Sequence, residues 1–432
     1  MDRSVTDETT EPRTNWARNL TYGAARLVVP ETVAEAQEAV RAAEKLRVVG
    51  SRHCFNDIAD TTGTHLSLER LRRAVSLDAA RRQVTVEGGI RYGDLGPILH
   101  ERGYALHNLA SLPHISVAGA TATATHGSGV TLGNLATAVA GIEFINGAGD
   151  LVTLTRDQDG DTFPGAPVSL GALGVITRLT LDIRPAFSVR QDVWLDLPVA
   201  ALEAHFDEIM ASGYSVSLFT DWRGDVVEQV WIKSIVEPGA RFEPRSSLFG
   251  AKPATRNMHP LAELDAINCT EQMGVVGPSY DRLTHFRMGF TPATGDDLQV
   301  EYFIPREHGA ASLRAMQEVG ERLAPLLMIG EVRMVAADDL WLSTCYRQAS
   351  IVFHFSFHPD QPALMRLLPT LEVALAPFNP RPHWGKLFAM SPRTVQSRYE
   401  KLPAFKALLA THDPKGKFRN AFVERNLYST AG

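Results

Sequence analysis

Cysteine is scarce in this 432-residue chain. Cys54, Cys269 and Cys345 stand far apart, without a CxxC pair or the ligand spacing of a zinc site. No disulfide framework is expected, and a reducing cytoplasm fits such usage. No apolar run approaches the ~20 residues that span a membrane. Residues 1–14 are polar and acidic, lack the apolar core of a signal peptide, and read as a disordered tail. Basic residues are in deficit: 43 Lys and Arg face 49 Asp and Glu, a net charge of −6. That balance argues against nucleic acid or an anionic membrane as partner. There is no GxGxxG after a strand and no GxxxxGK[ST], so neither a Rossmann dinucleotide site nor a P-loop is supported. Ser128 lies between glycines but lacks the GxSxG elbow of a serine nucleophile. Internal repeats and low-complexity segments are absent.

What is present is ordinary globular composition, 44% hydrophobic and 21% charged, on a chain long enough for two or three domains. Residues 31–45 form an Ala/Glu-rich amphipathic pattern that predicts a helix. Short apolar strands follow at 46–49, 65–68, 73–77 and 83–87, then a helix near 92–102. Further strands are predicted near 139–146, 151–155 and 175–183. After Pro185 the pattern changes to strands at 214–222, 230–235, 297–304, 330–335 and 350–358. Helices are predicted between them, at 307–324 and 360–376. The fold class is therefore α+β. A first domain covers 15–185, a second with a mostly antiparallel sheet covers 186–386, and 387–432 returns to the first.

Two patterns carry chemistry. The first is a set of small-residue segments: Gly50-Ser51-Arg52-His53 directly after a strand, the run 111–129 (SLPHISVAGATATATHGSG), and the turn 171–174. Such runs let backbone N–H groups approach a ligand such as a pyrophosphate. Close-packed turns with no ligand would have the same composition, and His53 alone would be a turn histidine. The second pattern is alternation. In 350–358 (SIVFHFSFH), Val352, His354, Ser356 and His358 share one face and the phenylalanines the other. His354 and His358 are ~13 Å apart along a strand, too far to share a metal. In 330–335 (GEVRMV), Glu331 and Arg333 share a face, either as a surface pair or as fixed groups in a pocket. Lys386 follows an aromatic turn, a weak signal by itself.

The runs 47–56 (RVVGSRHCFN), 110–129 and 169–177 (SLGALGVIT) resemble the FAD-binding domain of the vanillyl-alcohol-oxidase-type flavoproteins. Within that family the chain looks closest to the alditol (xylitol) oxidases, then the sugar-lactone oxidases, and the resemblance runs from Asn15 to Phe422. It implies a two-domain flavoprotein with an FAD-binding domain and a substrate (cap) domain. It also implies FAD bonded covalently to His53, flanked by Gly50, Ser51, Arg52, Cys54 and Phe55. Ser111, Ser116, Gly119, Thr123, Ala124, Thr125 and His126 match residues lining the flavin, and Val175 and Ile176 match its adenine side. Family members often carry a small residue at position 52 and Ser at position 54. Glu331, Arg333, His354 and Lys386 match substrate-site positions, and Ser356 falls where the alditol oxidases tend to carry Thr.

The implied reaction oxidises a terminal hydroxyl of a polyol. Hydride goes to flavin N5 and dioxygen re-forms the flavin, giving hydrogen peroxide. His354 is the candidate base, because an imidazole can titrate near neutral pH. Arg333 and Lys386 stabilise alkoxide charge, and Glu331, Ser111 and Ser356 bind hydroxyls. The rivals are a sugar-1,4-lactone oxidase or dehydrogenase of the same superfamily and a flavin-binding carrier without turnover. The oligomeric state is left open, a monomer being compatible.

Overall fold

The computed structural model describes residues 13–240, 246–290 and 297–430. Residues 1–12, most of the expected tail, lie outside that range. Among the described residues the strands make four sheets.

Three of these sheets belong to the first part of the chain. Arg26–Val28, Thr64–Ser67 and Leu46–Val49 pair in parallel. The helix Val33–Ala42 covers them, burying Ala36 and Val40 against Leu46 and Leu66. It is shorter at both ends than the pattern 31–45. Thr32 caps it by accepting from Glu35 N–H at 3.2 Å, and Ala43 has already turned to extended backbone to feed the next strand. A five-stranded antiparallel sheet runs Ala74–Asp78, Gln83–Glu87, Val175–Asp182, Val139–Ile145, Leu151–Thr155. Arg184–Pro185 pairs with Tyr104–Ala105.

The second part is built on an antiparallel nine-stranded sheet. Its central strands, in spatial order, are Ser188–Pro198, Val226–Val236, Ser215–Thr220, Leu327–Val335, Ser350–Phe357 and Leu298–Pro305. Period two then sorts the side chains. Val332, Met334, Ile351, Phe353, Phe355, Phe357, Val300 and Tyr302 pack under the helices Gly309–Leu323 and Gln361–Leu375 in one core. Removing one such phenyl ring from a packed core costs about 3–5 kcal/mol. The opposite face carries Gln299, Glu301, Glu331, Arg333, His354 and Ser356. It is covered by the first part of the chain, not solvated. The 11-residue strand Ser188–Pro198 was not predicted, because the fully buried Gln191 interrupts its apolar alternation.

Backbone latches hold the two parts together. Gly129 N–H donates to Met334 O at 2.7 Å and Ala336 N–H to Leu132 O at 2.9 Å, beside Arg333. Phe55 N–H donates to Gly385 O at 2.7 Å, beside Lys386. His285 and Phe286 N–H groups both donate to Ser111 O, at 3.0 and 3.2 Å. The C-terminal segment packs back on the first part: Asn420 Nδ2 donates to Asp57 O, Ile58 O and Asp60 O at 2.8–3.1 Å.

Candidate active site

The strand Leu46–Val49 delivers the chain into Gly50-Ser51-Arg52-His53. A Cβ on Gly50 would fall 2.6 Å from Ser116 Oγ, and one on Gly119 2.8 Å from the same oxygen. Both glycines are nonetheless exposed, so bare backbone of the two segments faces the surface on either side of the Ser116 side chain. Ser51 Oγ accepts from Ser116 N–H at 3.3 Å and ties them together. Arg52 sits at φ +62°, a left-handed backbone conformation that favours glycine. Cys54 is no nucleophile, since burial pushes its thiol up to about 11.

His53 stacks on Trp16 with ring centres 4.4 Å apart and planes 20° from parallel. Both its ring nitrogens are buried and neither has a hydrogen-bond partner. Burial, with help from His114 and Lys386, pushes its pKa down to about 3, so the imidazole is neutral. A neutral imidazole with an unpartnered nitrogen suits attachment to an electrophilic methyl carbon on an electron-poor ring, such as the flavin's 8-methyl. The exposed glycine backbone beside it suits a pyrophosphate-bearing dinucleotide. These residues therefore fit a flavin. Further along, Thr123 and Thr125 hydroxyls meet at 3.1 Å, Ala124 takes φ +56°, and Val175 and Ile176 are buried on their strand. His126, expected to line the flavin, also reaches the cap. Its Nε2 lies 3.3 Å from Glu301 Oε1, on the cap side.

The cap strands supply the other wall. Glu301, His354 and Glu331 stand abreast on three neighbouring strands, and Gln299 pairs with Ser356. Arg333 bridges the two carboxylates: Nη2 donates to Glu301 Oε1, while Nε lies 3.6 Å from Glu331 Oε1 and makes no hydrogen bond. The Arg333 and Glu331 side chains are only 8% and 6% exposed, so the surface-pair alternative is excluded. Burial alone would raise both carboxyls. His126 and Arg333 instead hold Glu301, and Arg333 and His285 hold Glu331, well below the usual range.

Lys386 Nζ donates to Gln299 Oε1 and stands 4.8 Å over the Phe55 ring. Burial lowers its pKa, with Glu301 opposing. The same Gln299 oxygen lies 3.2 Å from His354 Nε2. That contact assigns the proton to Nε2 and leaves Nδ1 bare, 4.0 Å from Glu331 Oε2. The expectation that His354 titrates near neutrality is corrected here: burial pushes it to about 3.

Gln299, Glu301, His285, Lys233 and His383 belong to the same buried cluster and were missed in the sequence. Gln299-x-Glu301 repeats the period-two signal of Glu331-x-Arg333 and was there to be read. His285 sits in a loop without a pattern.

Two family models match the chain: an FAD binding domain over residues 24–155 and a D-arabinono-1,4-lactone oxidase model over 266–426. The alditol oxidase of a Streptomyces species is 44% identical over 413 residues, 95% of this chain and 97% of that protein. The chain belongs to the vanillyl-alcohol-oxidase-type flavoprotein family. It is an FAD-binding chain of that family, with the α+β architecture of an FAD-binding domain and an antiparallel cap. The L-gulono-1,4-lactone dehydrogenase of Mycobacterium tuberculosis is 30% identical over 96% of this chain and 98% of its own length. In fold the chain is similar to cholesterol oxidase from B. sterolicum, with TM-score 0.78 and 16% identity over 96% of each chain. No helix among the described residues is long and apolar enough to cross a membrane.

Two outcomes follow from this geometry. Gly119→Val should purify with most of its flavin missing and an unchanged far-UV circular dichroism spectrum, read against protein absorbance. Full flavin content would contradict the assignment of this backbone to the flavin. The second concerns acid. Burial holds His285 at about 4 and His354 and His383 at about 3 in the folded state. Below an unfolded pKa near 6.5 the unfolded chain therefore binds more protons, so stability falls as pH falls, by about 1.4 kcal/mol per unit for each histidine. The depressed Glu301 and Glu331 act in the same direction below their ordinary range. Urea midpoints should drop between about pH 7.5 and about pH 5.5. A flat midpoint would contradict buried neutral imidazoles.

Proposed function

We propose that this chain oxidises a terminal hydroxyl of a polyol such as xylitol or sorbitol to the aldehyde, using FAD bonded to His53. The observation that carries this reading is the charge-balanced buried cluster of Glu301, Glu331, Arg333 and Lys386 latched to the His53 loop. A chain of vicinal hydroxyls needs many convergent polar groups, whereas an aliphatic or aromatic alcohol calls for an apolar pocket. We take 15–185 as the FAD-binding part, 186–386 as the substrate cap and 387–432 as the return.

Bound FAD would supply two-electron redox chemistry, accepting hydride from the alcohol carbon, with dioxygen as the final acceptor and hydrogen peroxide as the product. His354 Nδ1, neutral and bare, takes the hydroxyl proton. The imidazolium that results is stabilised chiefly by Glu301. Arg333 Nε, which makes no hydrogen bond, and Lys386 Nζ oppose the developing alkoxide charge. Glu331 accepts from further hydroxyls, with Ser111 and Ser356 at the edges. Three free thiols fit work in the cytoplasm.

The lactone-oxidase model over 266–426 supports a second reading, oxidation of a sugar 1,4-lactone. Peroxide yield separates them. Xylitol or sorbitol should give peroxide at a catalytic efficiency well above any sugar lactone, and the reverse order would replace the proposal with the second reading. A flavin carrier would give peroxide with neither.

A further inference from the structure

Behind Glu331 lies a pair of residues that the proposed chemistry does not use. Lys233 is 1% exposed, on the polar face of the cap sheet between Ser215 and Gln191 in register. Its Nζ donates to Leu283 O at 2.6 Å and Thr284 O at 2.9 Å, and stands 3.1 Å from His285 Nδ1. Burial lowers the Lys233 pKa to about 7, with Glu331 opposing. As an ammonium it has three protons and no lone pair, so its third contact makes Nδ1 an acceptor. The proton of the neutral His285 ring is then on Nε2, which donates to Glu331 Oε1 at 2.9 Å. Phe219 and Trp231 meet the imidazole edge-on at 5.7 and 5.3 Å and fix its plane. His285 N–H is also bonded to Ser111 O, so the ring is indexed to the first part of the chain. Glu331 Oε1 thus accepts from His285, with Arg333 Nε 3.6 Å away and not hydrogen-bonded to it, and Oε2 faces His354 Nδ1 at 4.0 Å.

We infer that Lys233 and His285 are positioning residues: Lys233 locks the His285 tautomer, and His285 aims Glu331 at the hydroxyls of the substrate beyond the reacting one. The inference rests on the polyol reading. It assigns the pair a role in chain-length preference and none in hydride transfer. A short diol reaches the reacting end alone and does not need Glu331 to be aimed, whereas a five-carbon polyol does.

The test is steady-state kinetics of the flavin-loaded Lys233→Met, His285→Leu and His285→Gln enzymes on xylitol and on propane-1,2-diol. Met and Leu should lower kcat/KM for xylitol about tenfold or more, chiefly through KM, and leave the short diol within about twofold. His285→Gln, which keeps one acceptor and one donor, should recover most of the loss. Equal losses on both substrates mean a merely structural role and overturn the inference, as do no losses at all. If the variants do not fold, nitrogen NMR of histidine-labelled wild-type protein decides: His285 protonated on Nε2 upholds the relay, and on Nδ1 overturns it. A wild-type enzyme inert on every polyol sinks the polyol reading instead, and the NMR result still judges the tautomer.

Discussion

Arg333→Ala lowers turnover on xylitol by about 10³-fold while the flavin stays bound. The magnitude follows from what the guanidinium does in place. It is almost fully buried between two carboxylates and keeps one N–H without a hydrogen bond. An alkoxide developing nearby meets a positive charge fixed before the reaction starts, in a site where water screens little. Truncation removes that charge. It also leaves Glu301 and Glu331 as adjacent buried acids with no cation between them, so one takes up a proton and is lost as a hydroxyl acceptor. Arg333→Lys keeps the charge without the fork and should fall between the two. Lys386→Ala should lose about 10²–10³-fold, because Arg333 still opposes part of the charge. Stopped-flow reduction and steady-state turnover check both. Near-normal turnover with a full flavin complement would remove these residues from the reaction.

The second large effect concerns attachment. Wild-type protein denatured in acid keeps its yellow colour in the pellet, and His53→Ala releases all of it. The imidazole is neutral at neutral pH, so one ring nitrogen keeps a free lone pair, and neither nitrogen has a side-chain partner competing for it. Trp16 holds the ring from one side, and the Phe55–Gly385 and Asn56–Trp384 bonds hold the loop from the other. The variant should still bind FAD against the backbone around Gly50, Ser51 and Ser116, at lower affinity. Colour that washes away from the wild type would contradict the covalent bond without touching that backbone site.

How far the sequence anticipated this site varies residue by residue. The flavin side was the most legible. The strand–Gly–Ser–Arg–His order and the long small-residue run are local features, and the structure puts them against each other through Ser116. The strand alternation was legible too, and it assigned Glu331, Arg333 and His354 to shared faces. What the pattern left open was the environment of those faces. Whether a polar face is solvated or covered depends on what packs there, and the covering chain comes from more than 200 residues away, at 128–132. Glu301 shows the same limit. Its alternation was visible, but its place beside His354 is a matter of strand order, which nothing local encodes. Lys233 and His285 were beyond reach for that reason. The charge of Lys233 reads as exposed until Leu283, Thr284 and His285 are known to meet it. His354 was found for its type, but its expected titration near neutrality was reversed by burial, which composition does not report.

The most direct test of the whole account is anaerobic mixing of the purified protein with excess xylitol while following the flavin's visible absorbance. The account predicts rapid and complete bleaching, recovery of the yellow form when air is admitted, and one peroxide formed for each flavin restored. A flavin that stays yellow under excess polyol would contradict it.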